Sequence, residues 1–172
     1  MNLIYPLLRA ARCLLGMSQV DAAKEFDMKA KTIHRLEAGN YQLLPREALV
    51  LRSRYQDAGV EFTEAGDGHG AGVRWSKPGT LLADGTPDVF GSRTILAARG
   101  LANLSQRELA KEAGVDPSFI ARLEKNKYTA INEETLRKLE AGLRKKNVEL
   151  TKETASVGAG VRWIVDPALL DK

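Results

Sequence analysis

Apolar residues recur at helical spacing in short runs, broken by Gly, Asp, Asn and Pro, and the same series of runs occurs twice. Leu7, Ala11, Leu14 and Leu15 share one face of a helix predicted over about 7–15, and Ile95, Ala98 and Leu101 share one over about 94–102. Ser18 and Ser105 then stand as N-caps of a second helix, SQVDAAKEF and SQRELAKEA, and Ser105 with Glu108 has the spacing of a capping box. Asp27 and Gly114 tolerate the left-handed backbone that ends such a helix. A third helix is predicted over 30–38 and 117–125. Pro117 suits its first position, Ile33 with Leu36 (or Ile120 with Leu123) gives it a narrow apolar stripe, and Gly39 or Asn126 closes it. The fourth covers about 46–58 and 133–145, with Ala48, Leu51 and Tyr55, or Leu136, Leu139 and Leu143, on the inner face. The period then changes to two. Residues 60–63 with 72–75, and 148–151 with 160–163, read as small hairpins.

The two series are copies. From Ala10 to Tyr41, 14 of 32 positions are identical at an offset of 87, including Ser18-Gln19 with Ser105-Gln106 and Arg35-Leu36-Glu37 with Arg122-Leu123-Glu124. Further on, Ala71-Gly72-Val73-Arg74-Trp75 recurs at an offset of 88 as Ala159-Gly160-Val161-Arg162-Trp163. The chain is a tandem duplication. The expected division is a first repeat over 1–75, a linker over 76–92 rich in Gly and Pro, a second repeat over 93–163, and a tail over 164–172 that resembles the start of the linker. The linker is expected to hold at most a short strand or turn at Leu81-Leu82, and the tail to be poorly ordered.

Composition narrows the chemistry. The 172 residues are 28% charged and 44% hydrophobic, an ordinary globular balance. No apolar run reaches the roughly 20 residues of a membrane span, and the apolar start, interrupted by Arg9 and Arg12, reads as a helix and not as a leader. Cys13 is the single cysteine and is expected among leucines in the core. With His34 and His69 the only histidines, a metal centre or histidine catalysis is hard to build, and neither cofactor nor metal is expected. His69, in GDGHGAG, is expected in a flexible loop, and that glycine run neither follows a strand nor opens a helix as a phosphate loop would. No paired carboxylates or activated nucleophile stand out, so no enzyme is expected. No ligand pocket is evident, which argues against a small-molecule effector. The net charge of +4, divided evenly between 1–80 and 81–172, permits a polyanionic partner.

Two short helices joined by a tight turn, the second thinly apolar, make a helix-turn-helix. SQxxxAKE, a turn, and xxxIxRLE resemble the lambda-repressor-like helix-turn-helix family, the group of Cro-, cI- and XRE-type regulators, over about 55 residues of each copy. The implied fold is mainly α: two tandem helix-turn-helix domains, each of four to five short helices followed by a small β-hairpin. The third helix would then read the major groove of double-stranded DNA with its N-terminal half. In copy one this end offers Lys29, Ala30, Lys31, Thr32, His34 and Arg35; a solvated basic face is the plainer alternative. In copy two it offers Ser118, Phe119, Ala121 and Arg122, where Phe119 suits a thymine methyl and equally a core or interface contact. The resemblance implies a phosphate bond from Gln19 and Gln106, which as plain surface residues would need no such role. Ser18, Asn40, Ser105, Lys127 and Tyr128 lie near helix ends where phosphates can be met. It also implies structural ion pairs, Arg12 with Glu37 and Arg99 with Glu124. Val73 and Trp75 share a strand face, so Trp75 and Trp163 are expected in core packing or between repeats ahead of base stacking.

The expected function is a sequence-specific transcriptional regulator, by default a repressor, reading an asymmetric or imperfectly palindromic operator. It would act as a homodimer or as a pseudo-dimer within one chain, in the cytoplasm at the nucleoid, with RNA polymerase or another regulator as a further partner and no membrane. The alternative keeps one repeat on DNA and makes the other, copy two with its sparser basic face, a protein-interaction or dimerisation module, as in antitoxin-type relatives.

Overall fold

The computed structural model describes residues 4–170. Copy one contains helices α1 (Ile4–Leu14), α2 (Gln19–Glu25), α3 (Ala30–Ala38) and α4 (Arg46–Asp57), then strands β1 (Val60–Thr63) and β2 (Gly72–Trp75). Copy two repeats this as α5 (Ser92–Ala102), α6 (Gln106–Ala113), α7 (Pro117–Glu124), α8 (Glu133–Arg144), β3 (Val148–Thr151) and β4 (Gly160–Trp163), and a short α9 (Pro167–Leu170) follows.

The caps explain most of the boundaries. The Ser18 hydroxyl accepts from the Asp21 amide while the Asp21 carboxylate accepts from the Ser18 amide, and Ser105 with Glu108 does the same. The box in copy one was not expected because Asp is shorter than the usual Glu or Gln. α1 begins about three residues earlier than expected and takes in Pro6, which the first turn tolerates. α5 begins at Ser92, inside the expected linker, because Asp88 accepts from the Ser92 and Arg93 amides and the Ser92 hydroxyl.

Each copy buries the predicted stripes. Leu8, Leu14, Ile33, Leu36, Leu51 and Tyr55 are fully covered in copy one, and Leu101, Leu109, Ile120, Leu123, Leu139 and Leu143 in copy two. Leu136, expected on the inner face, is only half-buried, as is Leu15, which was expected on the stripe of the first helix and lies just past its end.

The copies do not hang on a loose linker. Their hairpins join edge to edge in one antiparallel sheet ordered β1-β2-β4-β3, with Val73 opposite Val161 at the centre. α1 packs along α5 in the most extensive helix contact of the molecule. Both glycines at the strand junction are obligatory. A Cβ on Gly72 would collide with the Val161 carbonyl and the Arg162 side chain, and one on Gly160 with the Val73 carbonyl and Arg74. On the outer face Arg74 binds Glu61 through two hydrogen bonds, and Glu149 accepts from Arg162 and Arg144.

Three expectations are corrected. The start of the tail is tied down: the Ile164 amide donates to the Asn147 carbonyl, and Asn147 exchanges two side-chain bonds with the Val165 backbone, while residues 171 and 172 lie outside the described residues. His69 sits in a bridged turn, not a flexible loop, with Gly66 and His69 exchanging both backbone bonds at 3.0 Å. A cleft of about 700 Å³ does exist, between Tyr5 and Tyr41 of copy one and Leu101 and Trp163 of copy two. It lies between repeats, which no pattern within one repeat can announce. The linker folds back on itself through a bridge of Leu81 with Pro87, which buries Leu82.

Candidate nucleic-acid interface

α3 divides cleanly. Ile33, Leu36 and Glu37 are buried, while Lys31, His34 and Arg35 are exposed one and two turns along the opposite stripe. Lys29, the N-cap, is exposed as well, and Ala30 and Thr32 are half-buried at the helix start. Among the described residues Lys29, Lys31 and Arg35 make no ion pair. Three cations and a histidine therefore project from the first two turns without an internal partner. Guanidinium and ammonium groups so placed suit guanine O6 and N7 or phosphate oxygens.

α7 is built alike and furnished differently. Ile120 and Leu123 are buried; Ser118 and Arg122 are exposed; Phe119 and Ala121 are half-buried. Asp116 caps the helix by accepting from the Ser118 amide, so a carboxylate stands where copy one has Lys29. The hydrogen bond holds the Asp116 carboxyl below its usual range. Arg122 lies 4.8 Å over the Tyr128 ring, and Phe119 lies 5.1 Å from that ring at a tilt of 39°. Tyr128, read from the sequence only as a phosphate contact, is the platform that orders Arg122. The equivalent Tyr41 stacks instead on Tyr5 at 5.7 Å, and among the described residues no ring lies beneath Arg35. The signal was legible only as an aromatic in each copy; which neighbour it chooses depends on residue 5 against residue 92 and residue 32 against residue 119.

Both recognition helices are fixed from behind. Arg12 Nε and Nη2 donate to Glu37 Oε1 and Oε2 at 2.6 and 2.8 Å, and Nη1 donates to the Met17 carbonyl at 2.8 Å. Arg99 repeats the pattern on Glu124 at 2.7 and 3.0 Å, and on the Leu104 carbonyl at 2.9 Å. Burial, the largest single influence, works against the Arg12 charge, but the hydrogen bonds to Glu37 together with the charges of its neighbours, Glu37 among them, hold the guanidinium above its ordinary pKa. Gln19 and Gln106 join these networks: each amide Nε2 donates to the same glutamate, at 2.8 and 2.7 Å. Among the described residues each side-chain amide uses one of its two protons in this way. Ser18, Asn40, Ser105 and Lys127 are exposed near the helix ends, and Tyr128 is half-buried. The tryptophans lie between the copies: the Trp75 amide donates to the Ala159 carbonyl and the Trp163 amide to the Ala71 carbonyl, at 3.1 and 3.0 Å.

Among the described residues no group of three or more His, Cys, Asp or Glu could hold a metal ion, and no helix is long and apolar enough to cross a membrane.

Family comparison agrees with this geometry in both copies. A family described as "Helix-turn-helix domain" matches residues 7–52, and one described as "Helix-turn-helix" matches residues 95–149. No curated protein and no solved structure matches the chain. The fold and its two recognition helices define a helix-turn-helix DNA-binding protein. The two matches support a DNA-binding transcriptional regulator with two helix-turn-helix domains in tandem, similar to the XRE type.

Proposed function

We propose that the chain is a repressor that places α3 and α7 in the major groove of a single operator made of two unlike half-sites. It acts in the cytoplasm at the nucleoid, by binding and not by catalysis, and blocks a promoter by covering it. The observation that carries this reading is the exposed, unpaired stripe of Lys31, His34 and Arg35 on a helix whose angle is locked by Arg12 and Glu37. In this reading Lys31 and Arg35 read guanine, Thr32 meets a thymine methyl or a phosphate, and Ser118, Phe119 and Arg122 read the second half-site. Ser18, Gln19, Asn40, Ser105, Gln106, Lys127 and Tyr128 set position on the phosphates.

One observation favours a second reading, in which copy two holds another regulator or RNA polymerase. Arg122 already rests on Tyr128, and the cap of α7 is acidic. Mobility shifts on randomised duplexes with the full chain separate the two. Lys31→Ala or Arg35→Ala should change base preference in one half-site, by about 1–3 kcal/mol for each lost bidentate contact, while Gln19→Ala should weaken all sequences alike. Ser118→Ala with Arg122→Ala should change preference in the other half-site. Preference untouched by the copy-two changes alone selects the second reading; preference untouched by all of them removes the first.

A further inference from the structure

The two copies meet along two surfaces of unlike character. Across β2 and β4 the facing residues are the same from either side: Gly72 with Arg162, Arg74 with Gly160, Val73 with Val161. That junction would accept either copy as its neighbour. The contact of α1 with α5 would not. Positions 13 and 100 are equivalents at the 87-residue offset, and they face each other where the helices cross. A Cβ on Gly100 would stand 2.9 Å from Cys13 Sγ, closer than such atoms pack, and Cys13 is only 8% exposed, so the thiol must shift to admit it. One turn away, Arg9 Nε donates to the Gly100 carbonyl at 2.5 Å. The equivalent of Arg9 in copy two is Leu96, which has no donor. At the end of the contact the Arg93 guanidinium lies where a Cβ on Gly16 would be. The equivalents of that pair are Pro6, with no charged group, and Asn103, which carries the Cβ that Gly16 lacks.

We infer that α1 and α5 form a partner-selecting surface: a copy-one unit fits a copy-two unit of this chain and rejects a second unit of its own kind. Two α1 faces would set Cys13 against Cys13 and bring two Arg9 guanidinium groups together. Two α5 faces would leave a gap between glycines, lose the Arg9 bond and push Arg93 onto the Asn103 side chain. Building a clash against the wrong partner is a recognised source of specificity. The strands supply association without choice, and the helices supply the choice. Tethering then lets the chosen contact form within one chain. As a result the α3 and α7 held in one body are the unlike pair, and not two of either from different chains. The contact belongs to the helices whether or not DNA is bound, so a chain that failed to bind DNA would leave it standing.

Thermal unfolding of the full chain under reducing conditions, with mass by light scattering, tests this. The wild type should be a single 18.8 kDa species at micromolar concentration. At an unopposed helical position Gly→Ala raises stability; here Gly100→Ala should lower Tm, and in a Cys13→Gly background the same change should raise it. Leu96→Arg with Gly100→Cys, which makes two copy-one faces, should lower Tm, as should Arg9→Leu with Cys13→Gly, which makes two copy-two faces. Combining all four exchanges the faces and should recover at least half of the summed loss; a double variant that does not fold counts as a loss. A rise in Tm for Gly100→Ala in the wild-type background would overturn the assignment. So would an exchanged chain no more stable than the weaker double variant, or a wild-type mass of twice the chain.

Discussion

Arg12 and Glu37 decide the angle of α3, and their burial sets how much. The Arg12 side chain is 12% exposed and that of Glu37 3%, against 21% and 6% for Arg99 and Glu124. Removing one partner of a buried pair leaves the other charge stranded, at a cost of about 3–5 kcal/mol. Arg12→Ala should therefore lower Tm by roughly 10 °C for a chain of this size, and Arg99→Ala by less, read by circular dichroism. Equal losses would mean that burial does not set the contribution. At this scale the sequence was informative where a residue answers to its own copy. The paired Arg and Glu recur at one spacing, and the exposed Lys31 and Arg35 follow from the stripe of Ile33 and Leu36. Arg122 on Tyr128 and Tyr41 on Tyr5 were not legible, because a ring chooses among neighbours that only folding brings near.

Elements were legible where they close locally. Ser18, Ser105, Gly39, Gly114 and Asn126 each cap or end a helix through bonds within a few residues, and all sit where expected. The hairpins have the expected strands, but their union into one sheet was not foreseen. Pairing Val73 with Val161 spans 88 residues and leaves no local period. Each hairpin, taken by itself, has a pH signature. The Arg74 side chain holds the Glu61 carboxyl below its usual value. For Glu149 burial pulls upward, but Arg162 and Arg144 prevail and its pKa is also lowered. A depressed carboxylate stabilises the fold fully above its unfolded pKa, about 4.3 for Glu, and that contribution disappears as pH falls through the lower folded value. Stability should thus decline on acidification below about pH 4–5. Arg162→Met should raise the acid midpoint in a pH titration of tryptophan fluorescence. An unchanged midpoint would remove the Glu149 pair from the acid response.

For the whole molecule, duplication makes a regulator that holds two different helix-turn-helix units in one body. The repeat itself, its order and its family resemblance were all readable, since a 14-in-32 identity needs no structure. How the copies face each other was not, since Cys13 and Gly100 look like unrelated core residues until the helices cross. Binding should weaken steeply with salt, with a log–log slope that falls by about one when Lys127 is replaced by Ala, if that side chain neutralises one phosphate. An unchanged slope would take Lys127 off the backbone. The most direct measurement is selection of bound duplexes from a random pool by the full chain, with the mass of the purified complex determined. One chain per duplex, on sites with two unlike half-sites about one helical turn, roughly 34 Å, apart, is the predicted result. Enrichment of a perfect palindrome carrying two chains, or no enrichment at all, would contradict it.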